Sequence, residues 1–390
     1  MKTIKGNGVE NTILTGAINP GSALSIESAS IKDVNVYGGT LYINGGVALE
    51  GSAITSGTAV VAFTGGTIGT GGYVVSSAVI DSAVLGYNQN LTAAQSVDYV
   101  GIGSKTFNLN SSGMSVGIGF NMNASNVIFS GGYAYNTGVI RTIGGTIHFN
   151  DCVFSGNSCY ANGIVYQANN AAITEFNNCS FVSNVATASY VLFLRANNGV
   201  TKFTSCTITG NTARTHQLGY YTGGGSMDII GCVFTSNTTT LNNATLVYTA
   251  GSKAHYESCI FSSNFSTDTN RNARILMLGG TVSLVDCYVE PIINSPATTN
   301  DIYISATCVC SISGGTYSRV QNLGSQTTLN GNLSFIRIVS GTVNITSGTS
   351  ISLTSNMSCT AINVTGSCVV NGANVSEGTY TIIDSEGKAT

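Results

Sequence analysis

The sequence predicts an all-β chain folded as a parallel β-helix, a β-solenoid of about 15 coils. A hexad, Cys-x-(Phe/Ile)-x-x-Asn, recurs at an almost constant interval of about 27 residues, which is typical of a solenoid repeat. Charged residues are only 8% of the chain, which contains 48 glycines, so long soluble helices are disfavoured. Each repeat also carries a second apolar run without helical spacing. The hexads are Cys152/Phe154/Asn157, Cys179/Phe181/Asn184, Cys206/Ile208/Asn211, Cys232/Phe234/Asn237 and Cys259/Phe261/Asn264.

Residues 1–105 form the first predicted segment, made of smaller and less regular coils. Short β-type runs at 34–37, 40–43 and 59–63 are separated by pairs of glycines. Glycine pairs allow the tight turns that short coils need.

Residues 106–315 form the regular segment, with coils of about 26–28 residues. The run 127–132 precedes the first hexad at a matching offset and is interpreted as one further coil. Residues 316–390 contain short alternating runs, which predict narrower coils and a terminal cap. A cap is expected because an open end exposes unpaired strand edges.

Residues at equal offsets in successive coils should form columns, about 4.8 Å apart per coil. Three positions before each cysteine, and two after it, the residues are apolar and predict stacks inside the solenoid. These columns contain Phe149, Phe176, Phe203, Ile229, Tyr256 and Leu284, and Phe154, Phe181, Ile208, Phe234, Phe261 and Val289.

The cysteines and asparagines of the hexads are interpreted as structural. Cysteines stacked on neighbouring coils are farther apart than disulfide geometry prefers, so buried thiols are favoured over disulfides. Cys308 and Cys310 share a strand face and are the alternative pair. Asparagine tolerates the left-handed conformation of a turn, and its amide can bond to the next coil. A ligand-binding role for the asparagines is the alternative.

One outward column has nearly alternating charge. Opposite charges on neighbouring coils favour in-register stacking by a few tenths of a kcal/mol per pair. The alternative is a catalytic group of a polysaccharide lyase or hydrolase, which needs a focused cluster of acid and base groups. The column contains His148, Glu175, Lys202, Asp228, His255 and Ser283.

The turn after each hexad asparagine is the most variable part of the repeat, and loops are where a solenoid normally carries recognition. Charged and aromatic side chains in two of these turns could hold a sugar chain or an anionic receptor. Ordinary solvated turn residues are the alternative interpretation. The candidate ligand-binding residues are Arg214, His216, Tyr220, Tyr221, Asp268 and Arg271.

Composition excludes several classes of function. The net charge of −3, without a Lys/Arg cluster, argues against nucleic-acid binding. No apolar run approaches the ~20 residues of a membrane-spanning helix, and the first residues lack the apolar core of a signal peptide. No Cys/His spacing matches a zinc site, so we expect neither a metal nor another cofactor.

The hexads Phe154/Asn157, Phe181/Asn184, Phe234/Asn237 and Phe261/Asn264 resemble the Phe-x-x-Asn repeats of polymorphic outer-membrane proteins and autotransporter passengers. The companion Gly-Gly-Ala-Ile motif of that class is approximated at 144–147 and 279–282. This resemblance implies a right-handed parallel β-helix of the pectin-lyase-like type. It covers about 127–315.

The leading functional hypothesis is a non-enzymatic structural or attachment β-helix displayed on a surface, as a virion (phage) fibre or spike-type subunit. Its expected partner is a surface receptor or a glycan, and a spike-like chain would form a homotrimer. The expected location is a virion or the outside of a cell. The alternatives are a bacterial adhesin-like passenger and a polysaccharide lyase or glycosidase, because β-helices serve all of these functions.

Overall fold

The computed structural model describes residues 1–69, 72–85, 89–91, 96–110, 114–116, 121–135, 139–160, 163–167, 172–187, 194–196, 199–214, 216–218, 225–240, 245–249, 251–266, 274–293, 300–324 and 326–390. These residues form two compact units, Met1–Ala188 (unit 1) and Ser189–Thr390 (unit 2). Their regular elements are all β-strands. No helix in the described ranges is long and apolar enough to cross a membrane.

Unit 1 consists of short strands separated by turns. Its strands are β1 (Lys2–Lys5), β2 (Ile13–Ile18), β3 (Ala23–Glu27), β4 (Ser30–Tyr37), β5 (Thr40–Asn44), β6 (Ala48–Leu49), β7 (Ser52–Ser56), β8 (Val60–Ile68), β9 (Tyr73–Leu85), β10 (Gln89–Leu91), β11 (Ser96–Asn108), β12 (Met114–Val116), β13 (Asn121–Ser125), β14 (Ile128–Ser130), β15 (Tyr133–Ala134), β16 (Ile140–Thr142), β17 (Thr146–Asn150), β18 (Val153–Ser155), β19 (Ser158–Cys159), β20 (Val165–Gln167), β21 (Ile173–Asn177), β22 (Ser180–Val182) and β23 (Val185–Ala186).

Unit 2 has the same kind of strands, some of them longer. They are β24 (Leu194–Ala196), β25 (Val200–Thr204), β26 (Thr207–Thr209), β27 (Thr212–Ala213), β28 (His216–Leu218), β29 (Ser226–Ile230), β30 (Val233–Thr235), β31 (Thr238–Thr239), β32 (Thr245–Tyr248), β33 (Ser252–Glu257), β34 (Ile260–Ser262), β35 (Phe265–Ser266), β36 (Arg274–Leu278), β37 (Gly280–Val289), β38 (Ile302–Ile304), β39 (Val309–Asn322), β40 (Gln326–Val339), β41 (Thr342–Ile345), β42 (Ser350–Leu353), β43 (Met357–Val364), β44 (Cys368–Val370), β45 (Ala373–Val375) and β46 (Gly378–Ile383).

The strands of unit 1 stack in parallel register, so the predicted right-handed parallel β-helix is confirmed. One buried column shows how the coil length changes. Successive members of this column differ in residue number by 17, 20, 17, 21, 25, 25 and 27, so narrow coils give way to wide ones. The column contains Leu24, Leu41, Val61, Ala78, Tyr99, Ala124, Phe149 and Phe176.

Unit 2 is also a right-handed parallel β-helix, and its coils change in the opposite direction. Along its buried column the differences in residue number are 26, 27, 28 and 28, followed by 17, 16 and 19. Beyond the narrow coils, β43 and β44 pair in antiparallel fashion with β46 and β45. The column contains Phe203, Ile229, Tyr256, Leu284, Ile312, Leu329, Ile345 and Val364.

The predicted aromatic stacks lie inside both units. In unit 1 the rings of Phe154 and Phe181 are 4.8 Å apart between centroids and inclined by 7°. In unit 2 the rings of Phe234 and Phe261 are 4.7 Å apart and inclined by 15°. Rings spaced by one coil can stack because their backbones are in register, which adds to the hydrophobic gain of burial.

The cysteines lie inside the same coils, and all eleven are buried thiols, as predicted. Several of these thiols donate to backbone carbonyls one coil away. Cys152 Sγ lies 3.3 Å from Ala124 O, and Cys259 Sγ lies 3.1 Å from Ile229 O. A cysteine side chain is therefore small enough to fit between the aromatic columns, and its thiol also gives a buried carbonyl a hydrogen-bond donor.

The hexad asparagines form buried ladders, which confirms the structural interpretation of their amides. In unit 2, Asn237 Oδ1 accepts from the backbone N–H of Asn211 at 3.2 Å, and from its Nδ2 at 3.0 Å. Asn237 Nδ2 donates to Ile208 O at 2.8 Å and to Asn264 Oδ1 at 3.1 Å. Asn157 and Asn184 make the same link in unit 1, at 3.0 and 3.1 Å.

The prediction that these asparagines themselves adopt the left-handed conformation is wrong. The preceding residue does so instead, as at Gly156 (φ 63°) and Ser236 (φ 55°). A second left-handed residue precedes each hexad cysteine, as at Asp151 (φ 53°). Glycine fits both corners because it has no Cβ to conflict at positive φ, and a short polar residue offsets part of that conflict with local hydrogen bonds.

A buried ion pair marks the change from wide to narrow coils in unit 2. Arg319 Nε lies 2.7 Å from Asp301 Oδ2, and Arg319 Nη2 lies 2.9 Å from Asp301 Oδ1. Asp301 also accepts from the backbone N–H of Ile292 at 3.1 Å. Bidentate pairing and backbone donors together compensate the desolvation of this carboxylate.

Candidate functional site

The residues predicted to bind a ligand are only partly described by the structure. Arg214 is an exposed residue in the turn after β27, and His216 begins β28, in register with Thr245. The other four lie outside the described residues: Tyr220, Tyr221, Asp268 and Arg271. Their grouping into one site therefore stays a prediction.

The charged column predicted to face outward does so in both units. In unit 1, His148 and Glu175 are in register on neighbouring coils, with Nδ1 3.0 Å from Oε2. Their side chains are 34% and 32% exposed, so this pair contributes little to stability. In unit 2, Lys202, Asp228 and His255 follow one another in the same register.

The outer face of unit 2 becomes concave along this column. The concavity has a volume of about 460 Å³ and spans coils from β29 to β40. Two outward columns line it, and buried backbone positions lie between them. The lining residues are Asp228, Lys253, Ala254, His255, Thr281, Val282, Ser283, Val309, Cys310, Ser311, Gln326 and Thr328.

The charged groups of the lining lie at one end of the concavity. Asp228, Lys253 and His255 are on β29 and β33, whereas hydroxyl and amide groups occupy the coils that follow. His255 Nε2 is 3.2 Å from Glu257 Oε2 on the same strand. Neutral hydrogen-bonding groups beside the exposed Val309 suit a ligand with many hydroxyls.

The arrangement offers little for binding a metal. Within the described ranges, no group of three or more His, Cys, Asp or Glu side chains is placed to hold an ion. The hydroxyls of Ser283, Ser311 and Thr328 are separated by one coil each, which gives a regular array about 4.8 Å apart. Such an array can hydrogen-bond to an extended polymer but cannot by itself activate a water.

Comparison with known proteins gives no relative: no family model, curated protein or solved structure matches this chain. The concavity therefore has to be interpreted from its own chemistry.

One of the two outward columns that line this concavity was not anticipated from the sequence. The alternating charge predicts the column of Asp228 and His255. It does not predict the column two positions earlier, which contains Lys253, Thr281, Val309 and Gln326. Period-two alternation along the strands would have found it, because residues two apart share a face. The concave curvature itself has no sequence signal that we recognise.

Proposed function

We propose that the chain is a non-enzymatic attachment β-helix displayed on a surface, as a virion fibre or spike-type subunit, and that its concavity binds a glycan. The observation that carries the proposal is the array of hydroxyl and amide groups along successive coils of unit 2. The recurring positions within each repeat serve the interior stack, which leaves the outer faces for recognition.

An attachment function is supported by the difference between the buried and the outward positions of the repeat. The cysteine, the phenylalanine or isoleucine, and the asparagine of each hexad are buried and take part in packing or in ladder bonds. The outward positions differ from coil to coil, as at Asp228, His255 and Ser283. A rigid stack with a variable outer face is suited to presenting a binding surface.

A glycan array with the purified chain tests this proposal. Ser311→Trp places a large side chain in the concavity at an exposed outward position, so binding to the recognised glycan should fall at least about tenfold. The matched control is His148→Trp, an outward residue of the corresponding column in unit 1. Equal binding by the parent chain and Ser311→Trp, or no glycan bound at all, would overturn the proposal.

An adhesin-like passenger would share this attachment chemistry and differ in its assembly. A spike-type subunit should associate as three copies, whereas a passenger is expected to be a single chain. Light scattering at several protein concentrations distinguishes the two. A stable monomer at all concentrations would argue against the spike-type subunit and favour the passenger.

One observation favours a glycosidase or lyase as a second candidate. Asp228 and Glu257 both face outward on neighbouring coils, two positions apart in register, and His255 lies on the same strand as Glu257. Coil and residue spacings place their Cα atoms about 8 Å apart, and two carboxylates that project from one face at this spacing can act on one glycosidic bond. Release of reducing ends or of an unsaturated product from polysaccharides would establish this candidate, and Asp228→Asn should then abolish the release.

A further inference from the structure

A second outer surface of unit 2, which we call the basic strip, consists of Arg274, Asn300, Tyr303, Gln321 and Arg337. None of these residues lines the concavity. Ile275 N donates to Asp301 O at 2.7 Å, so Arg274 lies one coil from Asn300. Arg337 Nη2 donates to Asn300 Oδ1 at 3.0 Å. The two arginines therefore flank the same amide.

The basic strip brings positive charge to one side of a chain whose net charge is −3. The buried carboxylate of Asp301 is paired with Arg319, with 2.7 Å between Oδ2 and Nε, so those two charges cancel. Arg274 and Arg337 each add a positive charge to the same side of the coils. A local excess of positive charge attracts anions and orients them as they approach.

Among the described residues, Arg274 contacts an aromatic ring and a thioether rather than a carboxylate. Within the part of the chain that the structure describes, its guanidinium lies 4.4 Å above the centroid of the Tyr303 ring, and its Nη1 lies 4.0 Å from Met277 Sδ. Burial lowers the pKa of Arg274, because the charged form has lost part of its hydration. An anionic ligand would replace that hydration with charge-assisted hydrogen bonds.

The neighbours of the arginines indicate what kind of anion fits. Asn300 Nδ2 donates to Gln321 Oε1 at 3.2 Å, so two side-chain amides lie beside Arg337. The partly exposed Tyr248, Met277 and Tyr303 continue the same face in register. Amide and phenol groups next to aromatic rings bind sugar hydroxyls and sugar ring faces, which a small inorganic anion does not need.

We propose that the basic strip binds an acidic saccharide, whose carboxylate or sulfate accepts hydrogen bonds from Arg274 and Arg337. The amides of Asn300 and Gln321 and the phenol of Tyr303 contact the sugar hydroxyls. This site is separate from the concavity, where the lining is mainly neutral, so either can exist without the other.

Isothermal titration calorimetry of the full chain tests the proposal at fixed ionic strength. The probes are a sulfated tetrasaccharide, a tetrasaccharide of uronic acids, neutral maltotetraose and sodium sulfate. At least one acidic tetrasaccharide should bind, and its affinity should fall as salt is raised. Binding of the first or the second probe distinguishes sulfate from carboxylate as the recognised group.

Arg274→Gln and Arg337→Gln should each weaken this binding at least about tenfold, because each removes a charged hydrogen-bond donor. The matched control is Arg141→Gln in unit 1, where Arg141 lies 5.8 Å above the centroid of the Tyr166 ring. That change should leave the affinity unaltered, as should Ser311→Trp in the concavity. Circular dichroism checks that each variant is folded.

Several results would overturn the proposal. These are absence of binding by both acidic tetrasaccharides, equal binding of maltotetraose, sodium sulfate binding as tightly as the saccharides, or folded arginine variants that bind like the parent. Loss of binding in Ser311→Trp alone would assign the saccharide to the concavity, and would leave the attachment function standing without the basic strip.

Discussion

Replacing Asn237 with alanine should destabilise unit 2 strongly, because one amide serves three coils. The change removes two bonds that Oδ1 accepts from Asn211, at 3.2 and 3.0 Å. It also removes the donation from Nδ2 to Ile208 O at 2.8 Å and to Asn264 Oδ1 at 3.1 Å. Asn237 is fully buried, so water cannot replace these bonds without a local rearrangement.

The expected cost is about 2–6 kcal/mol, from a net loss of ~0.5–1.5 kcal/mol per hydrogen bond over four bonds. Urea unfolding followed by circular dichroism measures it, and native-state hydrogen exchange at the Asn211 amide gives a local readout. The control is Asn332→Ala, at an exposed position of β40, which should change stability by less than about 0.5 kcal/mol. An unchanged midpoint together with unchanged protection of the Asn211 amide would refute the ladder argument.

Three further predictions follow from buried groups. Asp301→Asn leaves Arg319 buried without its counter-charge and should cost about 3–5 kcal/mol in urea unfolding; a cost below about 1 kcal/mol would show that the pair is dispensable. Burial raises the pKa of Cys159 to about 12 from 9.0, so unfolding releases its proton between those pH values. Stability should therefore be unaffected by this thiol below pH 9 and then fall by up to ~1.4 kcal/mol per pH unit, a contribution that Cys159→Ala should remove. Thiol labelling should modify the eleven cysteines rapidly only after unfolding; fast labelling of Cys152 in the native chain would contradict its burial.

The fold could be predicted because each coil of a solenoid corresponds to one repeat of the sequence, so the repeat length shows the coil length. The hexads fix which residues of each coil are stacked, and the register of Phe149 with Phe176 follows directly from the interval between hexads. The same logic failed for the left-handed corners. The hexad asparagine recurs and can therefore be recognised in the sequence. The left-handed residue before it varies, and it is Gly156 before Asn157 but Ser183 before Asn184. Recurrence shows which side chain is needed, but backbone conformation tolerates several small residues.

The candidate site was much harder to predict than the fold. Arg274 and Arg337 are far apart in sequence and in coils of different length, so no spacing rule connects them. They flank one amide only because Asn300 lies where the coil narrows. Likewise, the concavity spans the coils from β29 to β40, so it is a property of several coils and not of any single repeat.

The direction of the asparagine ladder has a consequence for how such a chain can change its length. In unit 2 the side chains of Asn211 and Asn237 each donate to Oδ1 of the next hexad asparagine, Asn237 and Asn264, so the two links are identical. If one coil were inserted or deleted at a hexad, the asparagines of the coils newly brought together could form the same hydrogen bonds as before. Gene duplication or loss of one repeat can therefore lengthen or shorten the stack by a single step of about 4.8 Å, while every remaining corner keeps its partners.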